Sequence, residues 1–173
     1  MCNRARLSSE LKTLFARFDA SRAQDVVRPN SDPVELAPRS KAYVVRREDG
    51  RRVLDVMSWD VLGGGAAYPM TNVRDLGRWR ALASRPESRC LMPLTEFCEW
   101  TPDKHRVGEG RPLKGEMWFA VPAQPVFAVA GFWQRTAKGP GCTMVTCDPN
   151  ELVAPIHPRA MITILHEADG TAG

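Results

Sequence analysis

The chain has 173 residues and a mass of 19.3 kDa, a size that suits one domain with a core of its own. Hydrophobic residues are 43% and charged residues 25%, which excludes a disordered chain, and no apolar run is long enough for a membrane helix. The net charge of +4 is uneven: residues 1–90 hold 17 basic and 11 acidic side chains, residues 91–173 hold 7 and 9.

In chain order, the opening MCNRARLSSELK lacks the apolar stretch of a secretory signal, so a cytoplasmic protein is expected. SSELKTLFARF predicts a short amphipathic helix, with Leu11, Leu14, Phe15 and Phe18 on one face and Ser8 or Ser9 as the cap. Residues 22–40 are polar, carry Pro29, Pro33 and Pro38, and read as loop. YVVRREDGRRVLDVMSW predicts a hairpin that turns at Asp49-Gly50 between β-branched runs. Residues 63–72, GGGAAYPMTN, read as a flexible loop, and VRDLGRWRALA as a second helix weakened by Gly77. CLMPL, EMWFAV, VFAVAGFW, CTMVTC and AMITIL are short apolar runs bounded by Pro and Gly. The expected fold is α+β: a curved, barrel-like, mainly antiparallel sheet with a few short peripheral helices. Residues 1–173 are read as one domain, with a tail frayed from about 166.

The five cysteines, Cys2, Cys90, Cys98, Cys142 and Cys147, are odd in number and make no disulfide framework. None lies in a CxxC pair and the three histidines complete no ligand pattern, so no metal or cofactor is expected. Cys90, Cys142 and Cys147 sit in apolar runs and read as core thiols.

Cys2 is different. If Met1 is removed, it carries a free α-amine and a thiol, with ordinary pKa values of about 8 and 8.5. A 1,2-aminothiol condenses with an aldehyde to an imine, and the thiol closes a thiazolidine. The plainer reading is a cysteine at position 2 by chance. In PLTEFCEW, Glu99 lies among aromatics, where desolvation raises a carboxyl toward acid–base use, unless it is a surface acid. His157 sits between Pro155 and Pro158, on a stiffened backbone that suits either proton transfer or a structural hydrogen bond. Asn72 and Arg74 sit where a loop enters the second helix, and Asn72 alone would pass for its N-cap. Nineteen of the 24 basic residues are Arg, whose planar fork suits phosphate. A solvated basic surface reads the same way.

Taken in order, these segments resemble the SOS response-associated peptidase family, whose members shield abasic sites in single-stranded DNA. The resemblance rests on Met1-Cys2 with Arg4, on Asn72-Val73-Arg74-Asp75, and on Arg89-Cys90-Leu91-Met92-Pro93 running into Phe97-Cys98-Glu99-Trp100. Val145-Thr146 followed by Ile156-His157-Pro158-Arg159 completes it, with Leu36-Ala37-Pro38 as a weaker match. The resemblance implies that processed Cys2 attacks the C1′ aldehyde of an abasic deoxyribose and closes a thiazolidine crosslink. It further implies that Asn72 orients the opened sugar, Glu99 handles protons and His157 acts as acid/base. Arg4, Arg74 and Arg159 would hold flanking phosphates, and Trp59 would stand near the exposed base, with Trp100 a lesser candidate. The implied partner is single-stranded DNA with abasic sites, met in the nucleoid by a monomer, with an associated self-processing peptidase activity. Departures are Asn3 where the family has Gly, a reduced loop at Trp59–Gly65, and Asp60 where a phosphate would run. A non-covalent single-strand-binding module and a Cys/His peptidase acting on other proteins remain as alternatives.

Overall fold

A computed structural model describes residues 2–22, 33–106 and 108–166. The strands are β1 (Arg4–Leu7), β2 (Ser21–Arg22), β3 (Val34–Leu36), β4 (Lys41–Glu48), β5 (Arg51–Ser58), β6 (Asn72–Val73) and β7 (Arg89–Leu94), followed by β8 (Glu96–His105), β9 (Leu113–Phe119), β10 (Phe127–Thr136), β11 (Gly139–Cys147), β12 (Met161–Ile162) and β13 (Ile164–Leu165). Two helices accompany them, α1 (Leu11–Phe18) and α2 (Arg80–Ala83), with a single 3₁₀ turn at Pro86–Ser88. No helix among the described residues is long and apolar enough to cross a membrane.

The sheet closes on itself. Strands β5, β4, β7, β10 and β11 pair antiparallel in that order, and β11 returns to β5 in parallel at Gly141 and Ser58. The result is a five-stranded barrel, as the α+β, barrel-like expectation had it. Gly141 is required at the seam, because a Cβ there would overlap the Asp60 carbonyl oxygen. The β4–β5 hairpin turns at Asp49 (φ 50°) and Gly50 (φ 77°), the left-handed pair that matches strand twist.

A second sheet, ordered β3-β1-β8-β9, lies beside the barrel. Phe97 of β8 stacks on Phe119 (centroids 5.1 Å apart) and meets Phe127 of β10 edge-on (6.4 Å), which joins the sheet to the barrel core. Leu14 and Phe18 of α1 are buried in the same core, and Leu11 and Phe15 pack against it.

Three local expectations change. The N-cap of α1 is Glu10, without a side-chain cap, and its C-cap Asp19 is left-handed. The Ser8 N–H instead donates to Thr95 Oγ1 (3.1 Å), so that residue belongs to the sheet connection. Within the predicted 22–40 loop, Val34–Leu36 forms β3, because Val34 and Leu36 bury one face against β1. Residues 23–32 of that loop lie outside the described residues, as does the tail from 167. The second helix shrinks to four residues, because Asp75 accepts a hydrogen bond from the Gly77 N–H (2.9 Å) and holds a turn there.

Candidate active site at Cys2

Strand β1 runs antiparallel to β8, with Arg4 opposite Cys98 and Ala5 opposite Phe97. That register carries the chain's head back beside Cys98 and Glu99. Cys2 is 1% exposed, and its thiol lies 3.2 Å from the Arg4 carbonyl oxygen. Burial, reinforced by the Glu99 charge, pushes the thiol up to about 12. That lies well above the ordinary thiol value of about 8.5, so the thiol stays protonated at neutral pH.

Asn72 locks that head in place. It sits in β6, which pairs with β11 next to Met144. Its Nδ2 donates to the Cys2 carbonyl at 2.8 Å and to Thr71 Oγ1 at 2.8 Å. Thr71 Oγ1 donates in turn to Asn3 Oδ1 at 3.2 Å. Asn72 is 5% exposed, and its Oδ1 accepts no hydrogen bond among the described residues. A buried amide oxygen left over in this way is an acceptor for an incoming donor. Asn72 is therefore a strand residue aimed at Cys2, not a helix cap. Thr71 and Asn3 join it, and sequence reasoning missed both. Their only signal was adjacency to Asn72 and Cys2.

Glu99 is 1% exposed, and by strand alternation it shares the inward side of β8 with Phe97. Burial pushes its carboxyl above the ordinary value. The positive charge at the head of the chain and His157 pull the other way. His157 approaches from the 148–160 connection. The side chain of Asn150 starts that turn by accepting the Val153 N–H at 3.0 Å, and the His157 N–H donates to the Val153 carbonyl at 2.8 Å. The His157 ring is half-buried, with Nδ1 2.8 Å from the Ala160 carbonyl oxygen and 3.2 Å from the Ala160 nitrogen. Both contacts fix the ring through Nδ1, and which role Nδ1 plays in them depends on the tautomer. Cys2, Asn72, Glu99 and His157 thus come from four distant segments. Asn72 touches Cys2 directly, while the charges of Glu99 and His157 act on the same neighbourhood.

The residues expected to meet DNA fare differently. Arg4 pairs with Glu116 and, at 3.8 Å, with Glu35, and its guanidinium lies 5.6 Å from the Trp118 ring. Its charge is matched before any phosphate arrives. Arg74 is exposed and pairs with Asp148, itself 91% exposed, a contact that solvent and salt weaken. Arg159 is exposed on the His157 connection. Trp59 is a correction: it is fully buried, and its indole N–H donates to the Thr71 carbonyl at 2.9 Å. It supports the site from within the core and presents no face to a base. Trp100 is half-buried.

Asp60 is turned inward to its own loop. Its carboxylate is 1% exposed and accepts the backbone N–H groups of Leu62, Gly64 and Met70 at 2.9–3.2 Å. Burial alone would raise this carboxyl. The three N–H groups and Arg39 outweigh it and hold the carboxyl below its ordinary value. Asp60 therefore organises the shortened loop. Among the described residues no group of three or more His, Cys, Asp or Glu is placed to hold a metal ion.

The fold is a closed β-barrel with a flanking sheet, and it gathers Cys2, Asn72, Glu99 and His157 from separate segments. The chain belongs to the SOS response associated peptidase (SRAP) family, whose sequence profile matches residues 1–171. It is 24% identical to the abasic site processing protein YoaM of Bacillus subtilis, over 96% of this chain and 76% of that one. It is 24% identical to the abasic site processing protein YoqW of the same organism, over 96% and 77%. Its fold is similar to the crystal structure of a Bacteroides thetaiotaomicron protein (TM-score 0.70, 20% identity, covering 98% of this chain and 79% of that one). A Bordetella bronchiseptica protein gives a TM-score of 0.68 at 18% identity, covering 98% and 87%.

Proposed function

We propose that this chain processes abasic sites in single-stranded DNA by forming a covalent thiazolidine through Cys2 once Met1 is gone. The observation that carries the reading is the Asn72 amide holding the Cys2 carbonyl beside buried Glu99. The names of the relatives, abasic site processing proteins, support the choice of substrate.

The order of steps follows from the thiol. Because it stays protonated, the α-amine leads. His157 takes the proton of the sugar's C1′ hydroxyl as the C1′–O4′ bond breaks. The ring oxygen takes up a proton in exchange, and C1′ becomes an aldehyde. The Cys2 amine adds to C1′. Glu99 carries the two amine protons in turn to the departing oxygen, so that one water leaves and a C=N bond remains. The Cys2 sulfur then adds to that carbon, its proton passing to the nitrogen. The adduct is protein plus DNA less one water. Asn72 Oδ1 accepts a hydrogen bond from a sugar hydroxyl, and Arg74 and Arg159 hold flanking phosphates. An associated self-processing step that exposes Cys2 belongs to the same reading. A Cys/His peptidase acting on other proteins is less well supported, since it needs a thiolate and this thiol resists ionising.

The test is intact-protein mass spectrometry of a chain verified to begin at Cys2, mixed with single-stranded DNA bearing one abasic site. The expected product is a stoichiometric adduct short by one water. No adduct from that protein overturns the reading.

A further inference from the structure

Strand β9 forms one edge of the flanking sheet, with β8 on one side and no described strand on the other. The Gly115 N–H donates to Thr101 Oγ1 on the β8 side (2.8 Å). By alternation, the N–H and C=O groups of its neighbours Lys114 and Glu116 point to the open edge. Such an edge is a template for another strand.

The sequence along this edge is complementary to its own reverse. Leu113-Lys114-Gly115-Glu116-Met117 runs apolar, basic, glycine, acidic, apolar. Leu113 is 56% exposed and Met117 40%, and both lie on the Gly115 face. Lys114 and Glu116 share the other face. Lys114 stands opposite Lys104 of β8, an unfavourable like-charge pair, and makes no ion pair with a described residue. Glu116 binds Arg4 and, through Oε2, the Trp118 indole N–H (3.2 Å), yet its side chain is still 32% exposed.

We propose that β9 pairs antiparallel with β9 of a second copy of this chain, about a two-fold axis through Gly115. Lys114 then faces Glu116 of the second copy, and Glu116 faces its Lys114. Each such pair exchanges both backbone hydrogen bonds. On the opposite face Leu113 meets Met117 of the second copy, and the two-fold axis repeats the contact, so the exposed apolar side chains cover one another across the two glycines. The two flanking sheets become one continuous sheet. An unrelated strand would find the same open backbone, but not the charges and the apolar positions in reversed order. The second copy is therefore the occupant this edge fits. Pro112 lacks an N–H and ends the ladder just before β9, so the interface is small and the dimer weak. This departs from the monomer that the family resemblance implies, and it does not depend on the DNA reading above.

Sedimentation equilibrium of the full chain from about 10 µM to about 1 mM reads the association. The weight-average mass is expected to rise from 19.3 kDa toward twice that value. Lys114→Glu sets acid against acid, Glu116→Lys sets base against base, and each is expected to weaken association at least about tenfold. Mixed one to one, the two variants carry opposite charges at every facing pair, and association is expected to return. A wild type that stays at monomer mass throughout overturns the proposal. So does a dimer whose strength neither variant changes, or a mixture that associates no better than its parts. Glu116→Lys also gives up the Arg4 pair, and Leu113→Ser on the opposite face supplies a reading free of that contact. Association weakened about tenfold is expected of it, and an unchanged dimer overturns the assignment to β9.

Discussion

The side-chain amide of Asn72 donates to the backbone carbonyl of Cys2 at 2.8 Å, across 70 positions of sequence. The bond fixes where the residue-2 amine stands, whatever the thiol does. Asn72→Asp keeps the shape but sets a carboxylate against that carbonyl. The expected outcome is a crosslinking rate lower by about a hundredfold, the size of effect that misplacing a nucleophile produces. Single-turnover kinetics on a denaturing gel reads it. An unchanged rate in a folded Asn72→Asp protein refutes the positioning role.

The thiol and the amine of Cys2 act at different steps, and a serine separates them. Cys2→Ser retains the amine and forms the reversible imine, but without the sulfur the ring does not close. Adduct surviving denaturation is expected to fall at least about tenfold and to return when borohydride reduces the imine. Full yield without reductant would remove the thiol from the mechanism. Cys2→Ala is expected to behave like the serine variant.

Glu99 makes stability depend on pH in a stated direction. Its folded-state carboxyl is held above the ordinary value of 4.5, chiefly by burial. The folded state therefore holds the proton more tightly than the unfolded chain does. Below 4.5 both states are protonated and the preference is fully present; as pH rises toward the folded value the unfolded chain releases its proton first and stability falls. Glu99→Gln removes this dependence. Urea unfolding from pH 4 to 8 is expected to show the wild type losing ground to Glu99→Gln as pH rises. Parallel curves would contradict the shift. Crosslinking by the same variant is expected to be at least about a hundredfold slower.

What the sequence made legible was local. Asp49-Gly50 between β-branched runs specifies its hairpin within a few residues, and the apolar runs mark the barrel strands. Glu99 and His157 announced themselves by their neighbours, aromatics in one case and prolines in the other. Asn3 and Thr71 did not, because their contact with Asn72 depends on how β1 and β6 are brought together through other strands. Nor did the raised thiol of Cys2, for the same reason: its pKa is set by burial, which no residue at positions 1–4 reveals. The α2 helix was overestimated because a side-chain hydrogen bond from Gly77 N–H to Asp75 competes with helix locally.

Trp59 shows how a residue can serve a surface site from the core. Its ring is fully buried, and its indole N–H holds the Thr71 carbonyl at 2.9 Å. Trp59→Ala opens a cavity and is expected to cost about 3–5 kcal/mol of stability. Trp59→Phe keeps most of the packing but loses the indole donor; the Thr71 carbonyl still accepts the Met144 N–H (2.9 Å), so the cost is about 0.5–1.5 kcal/mol. A base-stacking residue would behave in the opposite way, with strand affinity lost and stability kept. Urea unfolding and strand anisotropy on Trp59→Phe distinguish the two. Reduced stability with the strand affinity of the remaining folded protein within about twofold of wild type is expected. Affinity lost without loss of stability would return Trp59 to the DNA surface.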